Sequence, residues 1–332
     1  MKIIDIRVRR LMNLRFHLTA AAALFLAMPA SAQPHYPSRP VRLVVTLAAG
    51  GPTDIIGRLL GQKLSEALGQ QFVVDNRPGG GGNIGTEIVA KAPPDGHTLL
   101  IATSGPMAIN VSLFRTLPYD PLRDFAPVVL TTQASHVLVV NPSVATKSVA
   151  EFIKLSKTRP GALNYGSNGS GSGNHLAVEL FKLMAGIDLT HVPYKGTAPA
   201  MTDLLAGQIQ LMFASTPAAF PQMQAGKLRG LGISSAKRHP QMPDLPAIAE
   251  TLASFETAVW QGVAAPAATP RPIVEKLARE LLNILHSTDV RERLAAQHFE
   301  LIAVGPAEFS AHIKSEIATW AKVVKASGAR AD

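Results

Sequence analysis

The sequence predicts an α/β protein of two lobes, the first interrupted by the second, joined by two extended crossings. Three observations carry that expectation. Strand and helix signals alternate along most of the chain, the pattern of largely parallel sheets flanked by helices. A strand–glycine–helix unit occurs twice, once in each lobe, at 41–68 and 163–185. Two apolar extended runs, Val128 to Val140 and Phe255 to Ala264, are where the chain crosses between lobes.

The first unit is VRLVVTLAAGGPTDIIGRLLGQKLSEAL, Val41 to Leu68. Val41, Leu43, Val44 and Val45 make an apolar, β-branched run that reads as a buried strand. It breaks at Ala48-Ala49-Gly50-Gly51-Pro52, and Ile55, Ile56, Leu59, Leu60, Leu64 and Leu68 then follow a helical spacing. Thr53 or Asp54 is the expected N-cap, and Gly69 stops the helix. This geometry points unpaired backbone N–H groups at one spot beyond the strand's end, a small anion site made of main chain alone. The second unit, LNYGSNGSGSGNH over Leu163 to His175, repeats it ahead of a helix from Leu176 to Ala185. Two such loops, one per lobe, predict a ligand held between the lobes.

The first 32 residues read as an address. Lys2, Arg7, Arg9, Arg10 and Arg15 form a basic region, Phe16 to Met28 is apolar, and Ala30-Ser31-Ala32 fits a cleavage site. Residues 1–32 are therefore expected to be a signal peptide, with a periplasmic product starting at Gln33. Met12 is an alternative start, because the segment from there to Ala32 is a complete signal by itself. As a membrane span the apolar run is short. This segment holds five Lys/Arg and one Asp, so it removes +4 of the formal +9 and leaves +5. That surplus is spread thinly, which argues against nucleic acid and mildly favours anionic ligands.

The chain has no cysteine, which excludes thiol nucleophiles and thiolate metal sites. Its ten histidines show no HxH or HExxH spacing, so neither a metal nor a cofactor is expected. Aromatic residues at 5% argue against stacking platforms for bases or sugars. About 300 residues after the signal suffice for two sizeable cores without disulfides.

The remaining elements follow in order. A strand is expected over Gln71 to Asp75, a loop over Asn76 to Gly82, a helix over Ile84 to Lys91, and a third strand over Thr98 to Thr103. Ser104 then stands at the sheet's C-terminal edge. Pro118 to Pro127 reads as a proline-punctuated loop ahead of the first crossing. The second lobe is expected to hold helix Val149 to Lys157, strand Leu163 to Tyr165, helix Leu176 to Ala185, strand Leu189 to Tyr194 and helix Pro199 to Ala206. Strand Ile209 to Phe213, a short helix over Phe220 to Gln224 and strand Leu228 to Ser234 complete it. Helices Arg271 to Leu285, Val290 to Gln297 and Pro306 to Ala326 close the chain. The first lobe thus comprises 33–133 and 258–332, and the second 134–257.

Four features have a plainer explanation beside the functional one. Gly80-Gly-Gly82-Asn-Ile-Gly85 matches G-x-G-x-x-G, but Asn76-Arg77-Pro78 separates it from its strand and no strand-end acid stands about twenty residues on. It reads as a structural loop that lets the next helix pack closely. Gly169-Ser170-Gly171-Ser172 with His175 raises a serine nucleophile, and an exported hydrolase is the alternative it defines. The G-x-S-x-G elbow is absent, and Ser172 and His175 stand i, i+3 at a helix start, which suits capping. Backbone recognition of a carboxylate or phosphate is the better account. Asp54 reads as a helix-start charge, of use to a ligand only through water or an amine. Trp260 reads as core packing.

Many short motifs occur in order along the chain: Tyr36-Pro-x-Arg-Pro40, Gly50-Gly-Pro-Thr-Asp54, Asn76-Arg-Pro-Gly79, Gly82-Asn-Ile-Gly85 and Pro94-Asp-Gly96. Pro118-Tyr-Asp-Pro121, Asp124-Phe-Ala-Pro127, Asn164-Tyr-Gly-Ser167, His175-Leu176, Val192-Pro-Tyr-Lys-Gly196 and Ala225-Gly-Lys-Leu228 follow. This set resembles the Bug receptors, the extracytoplasmic solute-binding proteins of the tripartite tricarboxylate transporter family, over essentially the whole chain after the signal. The resemblance implies a type II periplasmic binding-protein (Venus flytrap) fold, a monomer that carries out no reaction, and a small carboxylate or amino-acid ligand. It also implies a membrane transporter pair as partner; a sensor that signals to a membrane kinase is the other use of such a receptor. The ligand-binding loops of the family match Ala49, Gly50, Gly51, Thr53 and Asp54, and Gly169, Ser170, Gly171, Ser172 and His175. Thr103 and Ser104, Tyr194, Lys195 and Gly196, and Ser215 and Thr216 are similar to the segments that complete the pocket. His97, Gln210 and the missing glycine near Gln297-His298 depart from the family's pattern outside the two loops.

Overall fold

The computed structural model describes residues 36–331. The signal-peptide segment lies outside the described residues. From the first strand onward the order is β1 (Val41–Val45), α1 (Pro52–Leu68), β2 (Phe72–Asn76), α2 (Asn83–Ala90), β3 (Thr98–Thr103) and β4 (Phe125–Val140). Then come α3 (Val149–Thr158), β5 (Asn164–Ser167), α4 (Gly173–Ala185), β6 (Thr190–Pro193), α5 (Thr197–Leu205), β7 (Leu211–Ser215), α6 (Thr216–Gln224) and β8 (Arg229–Ile233). The chain closes with β9 (Ala258–Pro266), α7 (Arg271–His286), α8 (Thr288–Ala296), β10 (Glu300–Val304) and α9 (Pro306–Ser327).

Each lobe is built on parallel strands, and the links between lobes are antiparallel. In the first lobe β1 lies between β2 and β3, parallel to both. In the second, β5 lies between β6 and β7, again parallel. The long β4 joins them. It pairs antiparallel with β9 from Phe125–Pro266 to Ser135–Ala258, then passes at His136 to β7, from His136–Ser215 to Val140–Leu211. The sheet is therefore mixed. Within the largely parallel sheets expected, the two crossings are the exception, because they run in opposite directions side by side and so pair antiparallel.

The apolar faces fill separate cores. Trp260, Phe309 and Trp320 lie in the first lobe's core, with Trp260 edge-on to Phe309 at 5.5 Å. Trp260 is thus core packing, and its Nε1 donates to Glu316 at 3.1 Å. The second lobe's sheet is covered on both faces, by a cluster around Phe152, Phe181, Phe213 and Phe255 and by another around Met212, Phe220 and Leu204. Leu176, on α4 of the second lobe, is buried in the first lobe's cluster, so the lobes are closed on one another.

Boundaries differ from expectation where local chemistry is ambiguous. β4 begins at Phe125, inside the expected loop, because Pro127 sits at a shift in register where no ladder N–H is needed. Helix α4 begins at Gly173, three residues early, and β5 runs on to Ser167. Two elements had no expectation: a helical stretch from Gly105 through Leu113, and β10, which pairs antiparallel with β4. Just ahead of β10, His298 has φ +62°, the left-handed region that favours glycine, at the place where the resemblance implies one. Its Nδ1 lies 2.6 Å from Gln241 Oε1.

Candidate ligand-binding cleft

Helix α1 starts one turn from the end of β1 on Gly51, which has extended backbone (φ −91°, ψ 170°) and offers no side-chain cap. Pro52 follows at the first helical position, where its missing N–H is no loss. The expected caps, Thr53 and Asp54, therefore lie within the first turn instead. Asp54 is buried and turned back on the loop. Its Oδ2 accepts from Gly50 N and from Arg58 Nε, each at 2.9 Å, and its Oδ1 accepts from the Asn76 amide at 3.0 Å. Burial works to raise its pKa, but the bonds from Arg58, Gly50 and Asn76 outweigh it and hold the carboxyl below its usual range. Asp54 fastens Ala49–Gly51 in place, and it is not part of the cavity wall.

The second loop is held by two imidazoles. His191 Nε2 lies 2.6 Å from Ser167 Oγ, and Ser167 Oγ accepts the Gly169 N–H at 3.1 Å. His175 Nδ1 accepts the Gly171 N–H at 3.2 Å, and the two rings stack with centroids 4.2 Å apart. Burial depresses both, His175 to about 4 and His191 to about 3; Lys182 adds to both, and on His191 the His175 ring adds further while Glu179 opposes it. His175 is therefore a neutral acceptor that shapes the loop.

Ser172 occupies the N-cap position of α4, as expected, but not in the expected role. Its Oγ lies 2.6 Å from the Gly169 carbonyl and 2.8 Å from Asn174 Oδ1, and it accepts no N–H from the helix. The hydroxyl proton goes to the loop, and the first-turn N–H groups of α4 stay unspent. Aspartate cannot donate that bond. The Gly169 carbonyl would keep the Ser172 backbone N–H at 3.0 Å but would face a buried charge in place of a donor, so Ser172→Asp is expected to lower stability by about 2 kcal/mol, where a capping position would have tolerated it. Thermal melting checks this, and an unchanged melting temperature would contradict the donor role.

Between the two loops is a cavity of about 30 Å³, room for about two water molecules. Four helix starts reach its wall: Pro52 and Thr53 of α1, Gly173 and Asn174 of α4, Thr197 of α5, and Ser215, which caps α6. Each carries a partial positive charge of about half a unit. Thr103 and Ser104 at the end of β3 also line it, and Ser104 Oγ is fully buried with no hydrogen-bond partner. Among the described residues, no Asp, Glu, Lys or Arg is in the wall. The place is thus electropositive from main chain, with an unused hydroxyl.

Thr53, Thr103, Ser104, Ser172 and Ser215 are the expected site residues that the fold brings together on this cavity. The others surround it. Gly169, Ser170, Tyr194 and Lys195 line a separate groove with Gly79–Gly81 and Arg330. The Tyr194 hydroxyl is committed to Asp203 at 2.6 Å, and Thr216 Oγ1 donates to the His298 carbonyl. Lys195 acts through main chain: its carbonyl accepts the Ala48 N–H at 3.0 Å, next to Gly196, and so links the lobes. The sequence reading missed Gly81, His136, Asn168, Asn174, Thr197 and Gln261 as lining residues. His136 and Gln261 had a usable signal, since each is a polar residue in an otherwise apolar crossing strand. Gln261 Oε1 accepts from Thr132 Oγ1 at 2.8 Å, which leaves its amide hydrogens for other acceptors.

Closure brings glycine against glycine loop. Gly81, at φ +62°, lies so near the second lobe that a Cβ built on it would stand 2.1 Å from the Ser170 carbonyl oxygen. A Cβ on Gly171 would stand 2.1 Å from Asn110 Oδ1 of the first lobe. The Gly80–Gly82 cluster does let α2 pack closely, through Gly85 against Thr46 and Arg77, and it also forms this contact between lobes.

A family profile described as tripartite tricarboxylate transporter family receptor matches residues 56–329. The chain belongs to this receptor family. Its fold is the α/β fold of periplasmic binding proteins, two-lobed with extended crossings. A Rhodopseudomonas palustris protein solved with adipate is 42% identical, with a TM-score of 0.86 over 88% of this chain and 98% of that one. The periplasmic binding protein BugD is 34% identical, with a TM-score of 0.86 over 89% and 99%. MatC from the same R. palustris, solved with bound malate, is 34% identical, with a TM-score of 0.84 over 87% and 100%. Receptors of this family are periplasmic and serve a membrane transporter.

Proposed function

We propose that this receptor captures a small organic acid between its lobes in the periplasm and delivers it to a transporter of the tripartite tricarboxylate type. The observation that carries the reading is the convergence of four helix starts and the unpartnered Ser104 hydroxyl on one closed cavity whose wall has no acidic side chain. The adipate and malate in the related structures agree with it. In this reading the site comprises the loops around Gly50–Thr53 and Gly169–Ser172, with Thr103, Ser104 and Ser215. A monomer suffices, because both halves of the cavity come from one chain.

The hydrolase alternative has no geometric support. The Ser172 proton is directed at the Gly169 carbonyl, and His175 Nδ1 accepts a backbone N–H. Neither is left to activate the other.

A cavity of about 30 Å³ is smaller than an organic acid, so the lobes must part both to admit the acid and to make room for it. In this reading the hinges lie in the crossings near Gln133 and over Phe255–Gln261: β4 changes partner from β9 to β7 at Ser135–His136, and β9 begins at Ala258. Residues 33–133 and 258–332 then move against 134–257. Hydrogen bonds to a charged group contribute roughly 1.5–3 kcal/mol each, so three or four reach the ~8 kcal/mol of micromolar binding after ordering costs. A thermal-shift panel of dicarboxylates, aromatic acids, amino acids and neutral sugars tests the class. At least one acid is expected to raise the melting temperature, and stabilisation by sugars alone would sink the reading.

A further inference from the structure

His136 stands where β4 changes partners: Ser135 is opposite Ala258, and His136 is opposite Ser215. It is 1% exposed, yet it forms part of the cavity wall. Its Nδ1 lies 3.0 Å from Thr257 Oγ1, and its backbone N–H donates to Ser234 Oγ at 2.8 Å. The ring is thus fixed in orientation, and Nε2 is the nitrogen left for the cavity.

Among the residues of the cavity wall it alone carries a side chain that can change its charge near neutral pH. The elements sharing its face contribute Thr53 from α1, Asn174 from α4, Ser215 and Met212 from β7 and Gln261 from β9, all uncharged. Ile233 of β8, next in the ladder, is apolar. Successive strand residues point to opposite faces. Gln133 and Ser135 accordingly turn to a separate groove, and the charged or titratable Lys237, Arg238, His239, Glu256, His298 and Glu300 lie there. Among the described residues His136 therefore has no ionic partner, and burial keeps it neutral by lowering its pKa to about 4.

The helix starts give the cavity a fixed partial charge, and His136 is its one adjustable group. A carboxylate beside Nε2 favours the imidazolium, because an opposite charge within hydrogen-bonding distance raises a histidine's pKa by one to a few units. We propose that His136 is the specificity-determining residue of the cleft: its Nε2 meets the second carboxylate of a diacid, and the ring takes up a proton as it does so. This rests on the carboxylate reading above. A monoacid seated on the helix starts leaves the ring neutral, and a diacid that reaches it brings one proton from solvent. The structure then selects acids by charge number through a side chain that is uncharged when it waits.

Isothermal titration calorimetry with succinate, malate and adipate, and with butanoate and hexanoate as monoacids, tests this. It is run on wild type and His136→Gln, at pH 6 and pH 8, in two buffers of different ionisation heat. Wild type is expected to bind at least one diacid with net proton uptake at pH 6, and about threefold to tenfold more tightly there than at pH 8. Monoacid binding should show no uptake. In His136→Gln the uptake disappears and the preference for diacid over monoacid falls about tenfold. Diacid binding without uptake in wild type, or with uptake retained in His136→Gln, overturns the proposal and leaves the carboxylate reading standing. If none of these acids binds either protein, the proposal falls, and the thermal-shift panel alone decides the carboxylate reading. Should His136→Gln melt as an unfolded chain, His136→Asn takes its place, and the wild-type buffer comparison can overturn the proposal without a variant.

Discussion

Gly81→Ala is expected to leave the protein folded and to weaken acid binding by about two decades. The methyl group would stand 2.1 Å from the Ser170 carbonyl oxygen, well inside van der Waals contact, and the clash is with backbone that has no rotamer to move. Gly81 belongs to the first lobe and Ser170 to the second, so the clash exists only when the lobes are shut. Relieving it means holding them apart, which forfeits part of the contact that a closed cleft makes with its ligand. A misfit of this kind amounts to about 3 kcal/mol, or two decades of affinity. A left-handed alanine also carries about 1–2 kcal/mol of local strain, which acts in open and closed states alike. Gly80→Ala separates the two effects. Gly80 has φ +57°, and the nearest atom to its Cβ is 3.6 Å away within its own loop. It shares the strain without the clash. Calorimetry should therefore show a large loss for Gly81→Ala and a small one for Gly80→Ala. Small-angle scattering should show that saturating acid reduces the radius of gyration of the second variant and not of the first. Equal affinities for the two would mean that this contact does not govern closure.

The fold was legible because period and punctuation agree along most of the chain. β3 has its expected bounds, and the buried run LVV of β1 with the helical spacing from Ile55 to Leu64 left little choice. The glycine loops marked two segments that reach the cavity for the same reason: a strand end followed at once by a helix start leaves N–H groups without partners. Side-chain roles within those loops were less legible. Aspartate and serine both cap helices from sequence alone, yet Asp54 is drawn backward by Arg58 and Asn76, the latter 22 residues further on. Ser172 donates to Gly169 where capping needs an acceptor. Residues such as Gly81, Asn168 and Thr197 enter the cavity only because the lobes close, and no local pattern records that. β10 was invisible because five residues between two helices, four half-buried and one buried, show neither clean alternation nor a turn signal of their own.

Mild acid is expected to destabilise this protein steeply, and two buried rings account for much of the slope. His136 and His175 are held neutral, each with a pKa lowered to about 4 by burial, against about 6.5 in the unfolded chain. Between those values the unfolded state binds more protons than the folded one, so stability rises with pH across the interval. The contribution of each ring is fully present above about pH 6.5 and is lost as the pH falls through the folded value near 4. At pH 4.5 the loss is on the order of 2 kcal/mol per ring relative to pH 7. For a chain of this size the two together lower the melting temperature by about 10 °C. Carboxylates such as Asp54 also titrate in acid with the same sign, so wild type alone does not isolate the rings. His175→Gln does, since an amide oxygen can accept the Gly171 N–H and does not titrate. The variant is expected to start less stable at pH 7, because it loses the stack on His191, and to lose less between pH 7 and pH 4.5. The same chemistry reaches the ligand: a protonated His175 can no longer accept from Gly171, and the loop carrying Gly169–Ser172 loses one of its two imidazole supports. Melting curves at both pH values on wild type and variant decide the matter, and parallel losses would show that His175 is not a neutral support of the loop.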